Sequence, residues 1–295
     1  LIGMLGSATT FGPLVADTSM WFVRRRGIAV AICACGNYVA GTIWPPIVQH
    51  FVATQGWRAT QIGTGLFILA TMLPLAFALR RRPPRHSAAS AASRPLMTAQ
   101  DLGLTPNGLQ WLLWGAGIAC CVAMSMPQVH IVAYCSDLGY GVAQGAQMLS
   151  LMLAFGIVSR LASGFLADRI GGLGTLLIGS VLQGVALALY LFFDSLASLY
   201  IISALFGLFQ GGIVPSYALI VREYFPPAEA ATRVGVVLMA TLLGMALGGW
   251  MSGKVFDLTG SYAAAFANGM AWNALNVMIA AFLMFRTRTA RPAMA

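Results

Sequence analysis

The chain has 295 residues, 59% of them hydrophobic and 8% charged, where a soluble domain is roughly 25% charged. With a mean hydropathy of +0.80, charge is too scarce to cover a soluble globule, which excludes a soluble enzyme, a disordered chain and a nucleic-acid binder. The net charge of +9 then reads as cations gathered on one face of a membrane.

A spanning helix needs about 20 apolar residues, and the charges delimit such runs. Nine are predicted, at about 1–22, 27–53, 59–79, 106–134, 142–167, 171–193, 196–221, 232–256 and 261–285. Backbone groups left unpaired cannot face lipid, so each run is expected to be helical. The first ends at Trp21-Phe22, followed by Arg24, Arg25 and Arg26. It starts at Leu1 with no signal-peptide pattern, and the chain reads as part of a longer protein. The second carries Asn37 near its middle.

After the third run, RRRPPRHSAASAASRP is basic, rich in Ala and Ser and without apolar periodicity. It predicts a flexible cytoplasmic linker over 80–106. The linker separates residues 1–79, taken as the last three helices of an N-terminal bundle, from a six-helix C-terminal bundle over 107–295.

In the fourth run His130 and Tyr134 lie one turn apart and share a face, which makes them candidates for an outer vestibule. His130 is also a candidate proton carrier. The fifth run holds Arg160, eight residues before Asp168, or about 12 Å up the helix. A cation near the bilayer middle costs at least about 2.5 kcal/mol, so Arg160 needs a partner carboxylate, a wet cavity or an anionic ligand. Its planar fork suits a carboxylate held by two parallel hydrogen bonds. The later runs carry two small-residue pairs, Gly207/Gly211 and Gly244/Gly248, which permit close helix contact.

Alternating the junctions puts fourteen Lys and Arg residues on one side and two, Arg58 and Lys254, on the other. The positive-inside rule makes the richer side cytoplasmic, and the C-terminus with it. The expected location is the cell's inner (cytoplasmic) membrane. The five cysteines all fall in apolar runs, with no CxxC pair. They predict free thiols, no metal and no cofactor.

Pro13, Trp21-Phe22, Arg26, Gly36 and Gly41 recur as Pro215, Tyr224-Phe225, Arg233, Gly244 and Gly249, at offsets of 202 to 208. The pattern predicts two parallel pseudo-repeated bundles, a mark of transporter folds. Three further helices before Leu1 would complete a twelve-helix arrangement. Glu223 and Arg233 flank the repeated junction and are assigned to a gate there.

Between the fifth and sixth runs lies Gly164-Phe-Leu-Ala-Asp168-Arg169-Ile-Gly171-Gly172. It resembles the loop signature of the major facilitator superfamily, with Gly172 at the last basic position. The resemblance implies a gating role for Gly164, Asp168, Arg169 and Gly171, with Asp168 capping a helix end and pairing with a neighbouring cation. Trp21-Phe22-Val-Arg24-Arg25-Arg26-Gly27 and Ser159-Arg160-Leu-Ala-Ser-Gly164 resemble the monocarboxylate porter and oxalate–formate antiporter branch. One turn before Arg160, animal monocarboxylate transporters commonly carry Asp, whereas this chain has Gly156.

The resemblance implies a secondary transporter of a small organic anion, with a monocarboxylate as the expected substrate, coupled to a proton or counter-anion and embedded in lipid. Arg160, Asn37, His130 and Tyr134 are the candidate substrate contacts. An exporter of apolar compounds is the alternative, since it would not need Arg160. A polytopic membrane enzyme would need a catalytic constellation, and three His and eight acids scattered singly do not supply one.

Overall fold

A computed structural model describes residues 26–78 and 98–290, with Leu14, Thr18, Trp21 and Phe22 before them. The run expected at 1–22 and most of the linker lie outside the described residues. Those described form helices α1 (Arg26–Gln55), α2 (Trp57–Ala78), α3 (Pro106–Asp137), α4 (Val142–Phe192), α5 (Leu196–Gln210), α6 (Ile213–Tyr224), α7 (Pro227–Thr259) and α8 (Tyr262–Ala290). Seven stretches are long and apolar enough to cross a membrane. The count of nine is therefore not reproduced among the described residues.

Part of the shortfall is a matter of kinks. At 51 residues, α4 would run about 76 Å if straight, more than twice the hydrocarbon core. It turns at Gly171, whose φ of 81° and ψ of 169° are not helical. Glycine alone reaches that region without strain. Two arms result, before and after Gly171, matching the two runs expected at 142–167 and 171–193.

The run expected at 196–221 is likewise divided, into α5 and α6, at Gly211 and Gly212. Both glycines abut the first arm of α4: a Cβ on Gly211 would lie 2.5 Å from the Gly156 carbonyl, and one on Gly212 would overlap Ser163.

Helix ends follow local chemistry. Thr105 Oγ1 accepts the Gly108 N–H at 3.0 Å and Pro106 opens α3, because the first turn has N–H groups to satisfy and none is lost at proline. Gly260, with φ 65°, closes α7. Ahead of α3 the chain is already docked. Ala99 and Leu102 are buried around a 3-10 turn at Gln100–Leu102, and Arg286 Nη1 donates to the Leu102 carbonyl at 3.4 Å. There the Asp101 carboxylate accepts the Thr98 N–H and hydroxyl, which holds its pKa below the usual carboxylate range.

Helices α3 to α8 pack on one another as a bundle. Its core has one layer around Leu113, Leu176, Tyr217 and Val221 and a second around Met148, Tyr190, Phe206 and Phe266. The small-residue pairs serve this bundle. A Cβ on Gly244 would lie 2.6 Å from the Ile118 carbonyl of α3, and one on Gly207 would overlap the Met152 carbonyl of α4. Outside the bundle, α1 lies along the first arm of α4 and α2 packs on α1. The α1–α4 seam is where the candidate site falls.

Candidate functional site at the α1–α4 seam

Arg160, on the first arm of α4, is 6% exposed. Its Nε donates to the Gly211 carbonyl at 3.2 Å, which has no helical donor four residues on because that residue is Pro215. Its Nη1 donates to the Ala34 carbonyl of α1. The guanidinium lies over the Tyr38 ring, 4.1 Å from the centroid, a geometry in which the ring's negative face attracts the cation. The buried charge thus meets two carbonyl dipoles and an aromatic face from two different parts of the chain.

Tyr38 was not among the candidates. Its neighbour Asn37 was, but Asn37 is exposed while Ala31, Ala34, Cys35 and Tyr38 are buried. These four follow the helical period and form one face. Gly156 makes room for the ring: a Cβ there would lie 3.0 Å from Tyr38 Cε1. The position at which animal monocarboxylate transporters commonly carry Asp is therefore closed over by an aromatic ring. Beside Arg160 a crevice of about 10 Å³ is lined by Ala31, Ser163, Gly164, Gly212, Pro215 and Ser216, among others. That is room for about one water.

His130 and Tyr134 do not line this crevice. His130 Nε2 is 3.0 Å from the Gly249 carbonyl of α7. A carbonyl only accepts, so that nitrogen carries the proton. Tyr134 is buried against Tyr262 and Phe266, at centroid distances of 4.8 and 5.7 Å. The two residues share a face, as expected, but that face packs on α7 and α8.

At the α4 kink, the expectation that Asp168 caps the helix end is corrected. The helix continues past Asp168 and Arg169, both exposed, to Gly171. The carboxylate that caps belongs to Glu223 of α6, whose Oε1 accepts the Gly172 N–H at 2.8 Å. A negative charge at a helix N-terminus meets the positive end of the helix dipole. A Cβ on Gly171 would sit 3.6 Å from the same oxygen. Arg233 is engaged within α7, 2.7 Å from Glu229, and stacks over Phe225 at 4.3 Å. The free cysteines agree with the sequence: Cys33 is partly buried, and Cys35, Cys120, Cys121 and Cys135 are buried.

Seven apolar spans among the described residues, all of them helices, make this a multi-pass membrane protein. The profile of the Major Facilitator Superfamily matches residues 1–197 and 173–293, and the chain belongs to that family of transporters. It is 28% identical to monocarboxylate transporter 13 of Bos taurus, over 99% of this chain and 69% of that protein. It is 24% identical to the agnestins efflux protein AgnL12 of Paecilomyces divaricatus, over 80% of this chain and 54% of that protein. Both relatives extend well beyond the region they share with it. Among solved structures it resembles FucP, a Major Facilitator Superfamily transporter in the outward conformation. The TM-score is 0.63 at 14% identity, over 92% of this chain and 72% of that one, so this likeness speaks to the fold alone.

Proposed function

We propose that the full-length protein is a secondary active transporter of a small organic anion, a monocarboxylate, working by alternating access. The observation that carries this reading is Arg160, a cation buried at the seam. Its fork geometry matches a carboxylate, and a protein named as a monocarboxylate transporter is similar over nearly the whole chain. In this reading residues 1–79 belong to an N-terminal bundle, 80–106 to a cytoplasmic linker and 107–295 to a C-terminal bundle, nine helices of a twelve-helix protein. The C-terminus lies in the cytoplasm and the protein sits in the inner membrane. The two bundles rock about the site, a proton or counter-anion moves with the substrate, and Gly164, Asp168, Arg169, Gly171, Glu223 and Arg233 form the gate.

A second reading, export of apolar compounds, is favoured by two observations. Arg160 already has backbone and aromatic partners, and an efflux protein is among the relatives.

Arg160→Lys separates the two. Lysine keeps the charge but cannot grip a carboxylate at two points. Losing a charge-assisted pair at a desolvated site costs about 2–5 kcal/mol, or roughly 30- to 4000-fold in affinity. Uptake of labelled monocarboxylates by vesicles holding full-length protein should fall by that order in Arg160→Lys and nearly vanish in Arg160→Ala. Carboxylate uptake at the parent rate in both variants would move the assignment to the exporter.

A further inference from the structure

The two core layers of the α3–α8 bundle are apolar, but the turns between them are not. Along the second arm of α4, Leu176 belongs to the first layer and Leu187 to the second. Ser180 and Gln183 lie between them. On α8, Asn273 and Asn276 lie between Phe266 of the second layer and Ala280 of the first, and Gln210 lies between Phe206 and Tyr217. These five residues are at most 4% exposed and form a polar layer across the middle of the bundle. None of them lines the crevice beside Arg160.

Part of the layer is paired within itself. Tyr217 Oη donates to Asn276 Oδ1 at 3.1 Å, and Asn276 Nδ2 donates to Ser180 Oγ at 2.7 Å. Asn273 Nδ2 donates to the Ser180 carbonyl at 3.0 Å, and Gln183 Nε2 to the Cys120 carbonyl of α3 at 3.3 Å. A carbonyl only accepts, so both amides are held nitrogen-first and neither can turn over to relieve its oxygen. Gln183 Oε1, Asn273 Oδ1 and both polar atoms of Gln210 are buried with no partner among the described residues.

These atoms gather at one level. Gln183 belongs to the turn of α4 at residues 180–184, and a Cβ on Gly184 would lie 2.6 Å from Asn273 Nδ2. Phe209 and Ile213, which bracket Gln210, abut Gly179 just before that turn. Buried polar atoms left unpaired are costly, and in native proteins they find partners in protein or in ordered water. Three of the four atoms accept and one donates. A cation would satisfy the oxygens but leave the Gln210 Nε2 hydrogens unmet, and residues 113–126, 173–190, 206–217 and 266–280 hold no Asp or Glu to balance its charge. A water molecule both donates and accepts, and a buried one typically makes about three hydrogen bonds.

We propose that this layer is an internal water site: bound water donates to the Gln183 and Asn273 oxygens and pairs with the Gln210 amide, joining α4, α5 and α8 through solvent held inside the bundle. The site is independent of Arg160 and of what the protein carries.

The experiment uses the full-length protein in detergent. X-ray radiolysis makes hydroxyl radicals from bound water as well as from bulk water, so it oxidises buried side chains that lie beside such water. Peptide mass spectrometry reads where. The Cys120-Cys121 pair and Met148 are equally buried and all carry sulfur. The cysteines adjoin the polar layer, and Met148 sits in the second apolar layer. The cysteine pair should be oxidised severalfold faster than Met148. Equal or slower oxidation overturns the water site.

Melting temperature gives a second test. Gln210→Met nearly conserves volume and breaks no hydrogen bond within the protein. In a dry layer it removes an unpaired amide and should raise the melting temperature; in a hydrated layer it takes a partner from the water and should lower it by several degrees. Gln183→Met and Asn273→Ala should each lower it. The double variant should lower it by less than the two together, because the second substitution removes a bridge the first has already broken. Melting of Gln210→Met at or above the parent's, or strict additivity of the pair, overturns the proposal. Stabilisation of the parent by sodium over choline chloride that Gln210→Met abolishes overturns it in favour of a cation. Should the variants fail to fold, the radiolytic comparison in the parent still decides.

Discussion

Helices α2 and α3 are about equally apolar, yet 6% of the α2 span is buried against protein and 67% of the α3 span. In water such a difference would be intolerable. In a bilayer the lipid tails are as apolar as leucine, so apolarity decides that a helix crosses, not that it packs. Among the described residues, what differs is the surface opposite. α3 meets Gly244 and Gly248 of α7, where added Cβ atoms would lie 2.6 Å from the Ile118 carbonyl and 2.5 Å from the Val122 carbonyl. α2 has Gly63 and Gly65, with nothing described within 4 Å of either Cβ position. A glycine in a membrane helix acts as a packing residue where another backbone faces it.

The largest effect that could break this comparison is steric. Gly248→Leu would drive a side chain into the α3 backbone, and overpacking costs typically 1–3 kcal/mol and occasionally more. We expect loss of the monodisperse peak in detergent and a sharply lower melting temperature. Gly63→Leu, on α2, should cost clearly less than Gly248→Leu, since no described backbone faces its Cβ position and leucine is the better helix former by several tenths of a kcal/mol. If Gly63→Leu is as damaging as Gly248→Leu, α2 is packed against something in the full-length protein. The contrast between the two helices would then belong to the described residues alone.

The same contrast explains what could be read beforehand. Helix positions were legible because charges are so rare that their gaps trace the spans. Arg160 was legible for the same reason, as a cation inside an apolar run. Tyr38 was not, because one more aromatic in a chain that is 59% hydrophobic carries no mark. Its importance comes from Gly156 on another helix, a pairing that no local pattern encodes. The break at Gly211-Gly212 has a local signal in Pro215, which offers no N–H to the Gly211 carbonyl one turn back, while Gly248-Gly249 has Ser252 and Gly253 one turn on and stays helical inside α7. Whether such a pair bends depends on what lies a turn further along and on the neighbour. At 211–212 Arg160 takes up the Gly211 carbonyl, whereas α7 runs on along α3 with its helical bonds intact.

A middle-sized effect is expected at the α4 kink. Glu223→Ala removes the acceptor of the Gly172 N–H, and losing a helix cap costs about 1 kcal/mol. The melting temperature should drop by a few degrees. Transport should become less sensitive to which face the substrate is offered from, because the second arm of α4 is no longer tied to α6. A change confined to melting, with the inward-to-outward balance intact, would make Glu223 a cap and nothing more.

The smallest effect separates the two carboxylates at that junction. The family loop points to Asp168, and the hydrogen bond is made by Glu223. Asp168 is exposed, and an exposed charge contributes about 0–1 kcal/mol even when paired. Asp168→Asn should therefore leave melting within about 0.5 kcal/mol of the parent. Its effect, if Asp168 belongs to the gate, must come from a state in which the loop meets another cation. That state would be populated during transport and absent at rest. Reduced turnover with unchanged melting and unchanged substrate affinity is the expected result, since such a residue acts between states and not within one. If turnover is unaffected as well, Asp168 is only a polar turn residue. Gating at this junction would then pass entirely to Glu223 and the Gly171 kink, where a carboxylate already joins α6 to the second arm of α4.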